Sequence, residues 1–233
     1  METSLIKTED GSHSLYVKEL NEHYHSIHGA IQESKHVFIN AGLQQSISKS
    51  PSSISILEIG LGTGLNALLT FIESQKNIRT IHYTALEAFP IGIELVKELN
   101  YPELLATCEL NNEASLRSVF NTLHSCEWQK EIAISENFIF QKIKNTLQKA
   151  EFINTYDLIY FDAFGPPVQP EMWTEELFSK IFSATNSNGI LVTYCAKGEV
   201  KRTLKKVGFT VESIPGPPGK REMIRGNKKS IKG

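Results

Sequence analysis

Residues 58–66 read Glu58-Ile59-Gly60-Leu61-Gly62-Thr63-Gly64-Leu65-Asn66, and no other stretch of the chain narrows its possible folds as far. A short apolar run at 54–59 precedes the glycines. Leu65, Leu68, Leu69 and Ile72 follow at i, i+3, i+4 and i+7. The first pattern reads as a buried strand and the second as one face of a helix. A strand that turns on glycines into a helix is the opening unit of a layered α/β sheet. Glycine suits that turn because the backbone bends tightly and approaches a ligand with no Cβ in the way. The dinucleotide fingerprint is GxGxxG. Here the spacing is GxGxG, and Leu65 stands where a third glycine of that fingerprint would fall.

Strand and helix patterns continue to alternate. Residues 81–86 read as a strand, 91–99 and 113–123 as helices, 138–143 as extended and 156–161 as a buried strand. A helix is predicted over 174–182, with Thr174 as N-cap and Glu175 and Glu176 in its first turn. A strand at 189–194 and a helix at 199–207 follow. The strands at 209–214 and 221–224 have no helix between them and are predicted to be antiparallel neighbours. Upstream, apolar residues within 5–20 flank Asp10-Gly11, a type I′ turn pair, which predicts a β-hairpin. Residues 21–50 are polar and histidine-rich with no assignable period, and 46–53 reads as a serine-rich linker containing Pro51. The expected architecture is α/β, with a mostly parallel sheet, one antiparallel strand and helices on both faces. Five alternating units closed by a terminal hairpin fit a Rossmann-like class I AdoMet-dependent methyltransferase fold. The expected division is an N-terminal hairpin and leading segment (1–50), the methyltransferase domain (51–226) and a disordered basic tail (227–233).

Composition narrows the setting. With 40% hydrophobic and 21% charged residues in 233, the chain has the make-up of a folded domain. No run approaches the roughly 18 apolar residues of a membrane span. The three cysteines, Cys108, Cys126 and Cys195, form no CxxC pair, which fits a reducing cytoplasm. His23, His25 and His28 lack a partner set for a metal, so none is expected. A monomer is expected. The net charge of −2 hides an asymmetry: residues 1–196 sum to −10 and residues 197–233 to +8. A basic end suits a polyanion such as RNA.

Two acids stand where a cofactor and its acceptor would meet. Glu87 ends the 81–86 strand, where a carboxylate can accept both hydroxyls of a ribose. With Glu58 two residues before the first glycine, the turn is similar to the S-adenosylmethionine (AdoMet) motif, and the cofactor candidates are Glu58, Gly60, Gly62, Gly64, Asn66, Glu87 and Asp162. Asp162 opens Asp162-Ala163-Phe164-Gly165-Pro166-Pro167, at a strand end that should face the pocket. A carboxylate there can orient an amine or take its proton, which makes Asp162 the catalytic candidate. Phe164 and Trp173 could stack on a base, with ordinary packing as the alternative for Trp173.

Together these blocks resemble the MnmC/MnmD family of tRNA 5-aminomethyl-2-thiouridine methyltransferases. The resemblance rests on EIGLGTGLN (58–66), LEAFP (86–90), FDAFGPPVQPEMW (161–173), Gly208-Phe209 and GKREM (219–223), with His36-Val37-Phe38-Ile39 and Gly42-Leu43 upstream. It implies methyl transfer from AdoMet to the amine of 5-aminomethyl-2-thiouridine at the tRNA wobble position, with Asp162 beside that amine. Phe164, Pro166, Trp173, Lys220, Arg221 and Glu222 are the acceptor candidates. Bifunctional members add an FAD oxidoreductase domain, for which 233 residues leave no room. The family's acid near the adenine has no counterpart in residues 140–144. Two other readings stay open: a methyltransferase of a small amine, and a non-catalytic AdoMet- or RNA-binding module.

Overall fold

The computed structural model describes residues 2–49, 52–76, 79–106 and 112–230. The N-terminal hairpin is present as β1 (Thr3–Lys7) and β2 (His13–Val17), joined by a third short strand, β3 (Glu22–His23). Lys7 pairs with His13, so Asp10-Gly11 lies in a five-residue loop and not in the expected two-residue turn. Asp10 organises that loop, its carboxylate accepting from Thr8 Oγ1 (2.8 Å) and Ser12 N (3.0 Å).

Residues without a readable pattern turn out to be helical. α1 (Ala30–Ser34), a π-helical stretch (Lys35–Leu43) and α2 (Gln44–Lys49) form one run. The wider π turn breaks the 3.6-residue period, which is why the apolar positions looked irregular. Gly42 lets this run lie close on the sheet: a Cβ there would stand 3.0 Å from Val192 and 3.2 Å from Tyr160. Much of the expected linker is therefore regular structure. Ser46 belongs to α2 and Ser53 begins β4, while Pro51 lies outside the described residues.

The main sheet is built from β4 (Ser53–Ile59), β5 (Thr80–Glu87), β6 (Ile132–Ser135), β7 (Phe138–Lys144), β8 (Tyr156–Phe161), β9 (Thr185–Thr193), β10 (Thr210–Pro215) and β11 (Glu222–Asn227). Their order is β10-β11-β9-β8-β4-β5-β7-β6. The five central strands are parallel and β11 is reversed, as the terminal hairpin predicted. A second reversed strand, β6, pairs antiparallel with β7, so the expectation of one antiparallel strand falls short by one. The strand is only four residues long, too short to show alternation.

Side chains alternate between two cores, as a period of two requires. Ile54, Ile56, Tyr83, Phe138, Leu158 and Tyr160 face α3 (Leu65–Ser74), the 30–49 run and α6 (Glu113–Ser125). Leu57, Ile59, Ile159, Phe161 and Leu191 face α7 (Glu175–Ala184) and α8 (Gly198–Lys206). Between β5 and α6 lie two short helices, α4 (Ile93–Glu98) and α5 (Tyr101–Leu105). At the C-terminal end the ladder reaches Asn227. Lys228 is hydrogen-bonded through its backbone to Asn188 and Gly189 and through Nζ to the carbonyls of Phe182 and Thr185, so it is held and not frayed. Residues 231–233, the end of the expected tail, lie outside the described residues. Among the described residues no helix is long and apolar enough to cross a membrane.

Candidate active site

The glycine turn sits where three parallel strands end. Gly60 N donates to Leu86 O at the end of β5 (2.9 Å), and Asp162 N donates to Ile59 O (3.0 Å). Gly60 has φ +91°, and a Cβ on it would stand 2.8 Å from the Asp162 carbonyl oxygen. Only glycine allows that approach, which brings the turn and the β8 end into contact. Below the turn, His124 Nε2 lies 3.1 Å from Thr63 O. Burial pushes His124 down to about 4, so its ring is neutral at neutral pH and Nε2 carries the proton donated to that carbonyl.

Glu87 accepts Gly62 N on Oε2 (2.9 Å) and Phe89 N on Oε1 (2.7 Å). Each carboxylate oxygen keeps a further lone pair for a ligand. Asn66, in the first turn of α3, divides its amide between two acids: Nδ2 donates to Glu58 Oε1 (3.0 Å) and to Asp162 Oδ2 (2.8 Å). Asn66 Oδ1 is buried and has no partner. Burial, with Asp162 close by, pushes the Glu58 carboxyl well above the usual range. Burial also raises Asp162, to about 7; Glu33 adds to the rise, while the Asn66 bond and Lys220 oppose it.

A cavity of about 410 Å³ opens over these groups. Of the cofactor candidates, Gly60, Gly62, Asn66, Glu87 and Asp162 line it. Glu58 does not: it has no exposed surface and lies behind Asn66. Gly64 does not line it either, because His124 covers it. Of the acceptor candidates, Phe164 lines the cavity. Trp173 is buried against Phe161 and Phe178, and its Nε1 donates to Phe164 O (2.8 Å), so it braces the loop from behind. Pro166 stands in the same loop but off the cavity wall. Lys220 is paired with Glu33 (2.6 Å) and Glu222 with Lys201 (2.8 Å), while Arg221 is exposed.

Three residues that sequence reasoning passed over, Tyr24, Tyr194 and Glu33, complete the site together with His25, one of the three histidines read as surface or pocket-wall residues. Tyr24 packs edge-on against Phe164 (5.2 Å between centroids) and covers Gly62, whose Cβ would lie 3.1 Å from its ring. Burial and Glu87 push the Tyr24 hydroxyl up to about 12. His25 also lines the cavity; burial pushes it down to about 4, and Nδ1 lies 3.1 Å from Ser14 Oγ. Tyr194, just past β9, donates its hydroxyl to Ala163 O (2.9 Å). Glu33 reaches the site through Lys220. Tyr194 was findable, because it follows the strand next to β8 at the same sheet end. Tyr24 was not, since no local period announces its loop; of the three histidines there, His25 takes the pocket-wall place. The three histidines diverge: His23 packs on Tyr16 and His28 pairs with Glu9. Among the described residues no group of three metal-ligating side chains occurs.

A glycine turn between a parallel strand and a helix, with an acid at the next strand end and a second acid opposite, is the apparatus of a cofactor-dependent transferase. Residues 109–229 match the family model described as S-adenosyl-L-methionine-dependent methyltransferase, and the chain belongs to that family. It is 29% identical over 224 residues to the tRNA 5-methylaminomethyl-2-thiouridine biosynthesis bifunctional protein MnmC of Campylobacter hominis, covering 94% of this chain and 32% of that one. It is 30% identical over 211 residues to the MnmC protein of Magnetococcus marinus, covering 88% and 31%. The chain thus spans about a third of the length of the curated relatives it matches. Among solved structures, MnmC2 from Aquifex aeolicus superposes with a TM-score of 0.75 at 23% identity, over 98% of this chain and 71% of that one, and shares the fold.

The cavity fits AdoMet by its own chemistry. Glu87 offers lone pairs to ribose hydroxyls, the partnerless Asn66 Oδ1 offers an acceptor to an ammonium, and Leu86, Phe89 and Leu147 supply apolar wall.

Proposed function

We propose that the protein transfers the methyl group of AdoMet to the primary amine of 5-aminomethyl-2-thiouridine at the tRNA wobble position. The observation that carries this reading is Asp162. Asp162 directly follows β8, its backbone carbonyl lies against the glycine turn, its carboxylate is held by Asn66, and it shares the cavity with Phe164 and Tyr194. The similarity to tRNA 5-methylaminomethyl-2-thiouridine biosynthesis proteins supports the same substrate.

In this reading the backbone of Gly60 and Gly62 would hold the methionine end of the cofactor, Asn66 Oδ1 would accept from its amino group and Glu87 would hold the ribose. Glu58 and Gly64 act from behind, Glu58 by fixing the Asn66 amide. When bound, AdoMet supplies an electrophilic methyl on a positively charged sulfur. Asp162 Oδ2 is taken by Asn66, which leaves Oδ1 for the acceptor. An alkylammonium must lose a proton before its nitrogen lone pair can attack. Asp162 accepts that proton, and a carboxyl raised to about 7 is better matched to the task than an ordinary one. The chemistry AdoMet would supply is a methyl group for that nitrogen, with the electron pair of the sulfur–methyl bond left on sulfur. Phe164 offers a ring face to the uracil.

Charge for the tRNA comes from a smaller set than the basic end suggested. Lys201, Lys206 and Arg225 are held by Glu222, Glu175 and Glu212. Arg202, Lys205 and Arg221, with Lys197, which lies 4.0 Å from Glu199, are exposed and form the proposed phosphate contacts. Such an enzyme works in the cytoplasm. The test is nucleoside mass analysis of tRNA that carries the aminomethyl group, after incubation with protein and AdoMet. A gain of one methyl on that nucleoside is expected. Turnover of free small amines with none on tRNA would overturn the reading.

A further inference from the structure

Glu33 takes no part in the chemistry above, yet it is 7% exposed and carries two short contacts. Its Oε2 accepts Ser26 N (2.8 Å) and its Oε1 accepts Lys220 Nζ (2.6 Å). Removing one partner of a pair with a buried charge leaves the other uncompensated, so both ends are held in place. Lys220 Nζ also lies 4.0 Å from the centroid of the Tyr194 ring, in cation–π range. Tyr194 in turn donates its hydroxyl to Ala163 O (2.9 Å), and Ala163 is the residue directly after Asp162. An unbroken series of contacts therefore runs from α1, through the loop before β11 and the end of β9, to the turn that bears the acid.

We propose that Glu33, Lys220 and Tyr194 form a positioning relay that holds the Ala163 carbonyl, and through it the Asp162 carboxylate, in place at the end of β8. Lys220 is then a positioning residue and not a contact to the acceptor. Its ammonium is already engaged by a carboxylate and a ring face, whereas a phosphate contact would call for a free one. The relay also sets the charge around Asp162. The Glu33 carboxylate disfavours the ionised acid and the Lys220 ammonium favours it; Glu58, Tyr83, Tyr194 and Asn66 are the other polar groups facing it. This inference rests on the reading of Asp162 as the acid beside the acceptor nitrogen.

Two measurements test it. The first is the carboxyl titration of Asp162, followed by carbon NMR of the ligand-free protein. Glu33→Gln should move its midpoint down and Lys220→Met should move it up, and a midpoint unmoved in both would overturn the relay. This arm needs no substrate, so it decides the relay even if the wild-type protein methylates no tRNA, an outcome that would sink the functional reading instead. The second arm is kinetic. Lys220→Met and Tyr194→Phe should each lower kcat about tenfold with KM for tRNA within about twofold, because a small misplacement of a reacting group costs rate more than binding. The double variant should be no worse than either single one, and Lys220→Arg should recover most of the rate. A raised KM for tRNA with a weakened salt dependence and an intact kcat would make Lys220 a phosphate contact and end the proposal.

Discussion

Asn66 donates its side-chain amide to Asp162 Oδ2 at 2.8 Å. The same amide nitrogen also reaches Glu58, so one residue of α3 ties the acid at the end of β8 to the acid at the end of β4. Removing the amide takes away a bond that lowers both carboxyls. Asn66→Ala should therefore move the acidic limb of the kcat–pH profile upward. Because two buried acceptors lose their donor, stability should also fall by about 1–3 kcal/mol. Kinetics across pH and urea unfolding check the two effects separately, and a profile unchanged from wild type would refute the first.

Asp162 itself should matter for turnover and little for cofactor capture. Asp162→Ala should lower kcat by about 10²–10⁴-fold, the range of a general acid–base group, with AdoMet affinity nearly kept. Calorimetric titration of AdoMet beside a methyl-transfer assay distinguishes the two. Full activity in the variant would remove Asp162 from the mechanism.

The raised carboxyl has a thermodynamic signature. Asp162 moves from 3.8 to about 7 on folding, so between those values the folded state binds a proton that the unfolded state has released. Stability contributed by this group is complete below about 4 and is lost as pH rises through about 7. Glu58, also raised, has the same sign. Thermal unfolding across this window should show a downward slope that Asp162→Asn flattens. Turnover should run the other way and rise as Asp162 ionises. An equal slope in wild type and variant would contradict the assignment.

Gly60→Ala places a Cβ 2.8 Å from the Asp162 carbonyl oxygen at a φ of +91°. The turn must shift, so a stability loss of about 1–3 kcal/mol is expected, together with loss of AdoMet binding. Gly92→Ala, where nothing lies within 4 Å of the added Cβ, serves as the control and should bind AdoMet as wild type does.

The exposed and the paired cations of α8 should differ. Lys205 is exposed and, among the described residues, has no acid against it, whereas Lys206 holds Glu175 at 2.6 Å. Lys205→Gln should weaken tRNA binding and reduce the salt slope by about one, as loss of a phosphate contact does. Lys206→Gln should change the slope less. Fluorescence anisotropy with labelled tRNA at several salt concentrations measures both.

What local pattern can encode was legible. The turn at Gly60, Gly62 and Gly64, the helix from Leu65, the Thr174 cap and the antiparallel end of the sheet are each written within a few residues, because helix and strand periods and glycine's φ range are local properties. The 30–49 run stayed hidden because its π turn spoils the period, and β6 because it is too short to have one. Partners were not legible at all. That Glu58 would lie behind Asn66 with no exposed surface, or that Trp173 would brace Phe164 from behind, depends on which chain segments pack together. The sequence by itself determined the layered α/β class, the glycine turn and an acid at each strand end beside it. Only the tertiary structure decided which of those acids face the cavity, and that Lys220 spends its charge on Glu33, 187 residues away, since a side chain's partner is set by long-range packing and the cost of burying an unpaired charge.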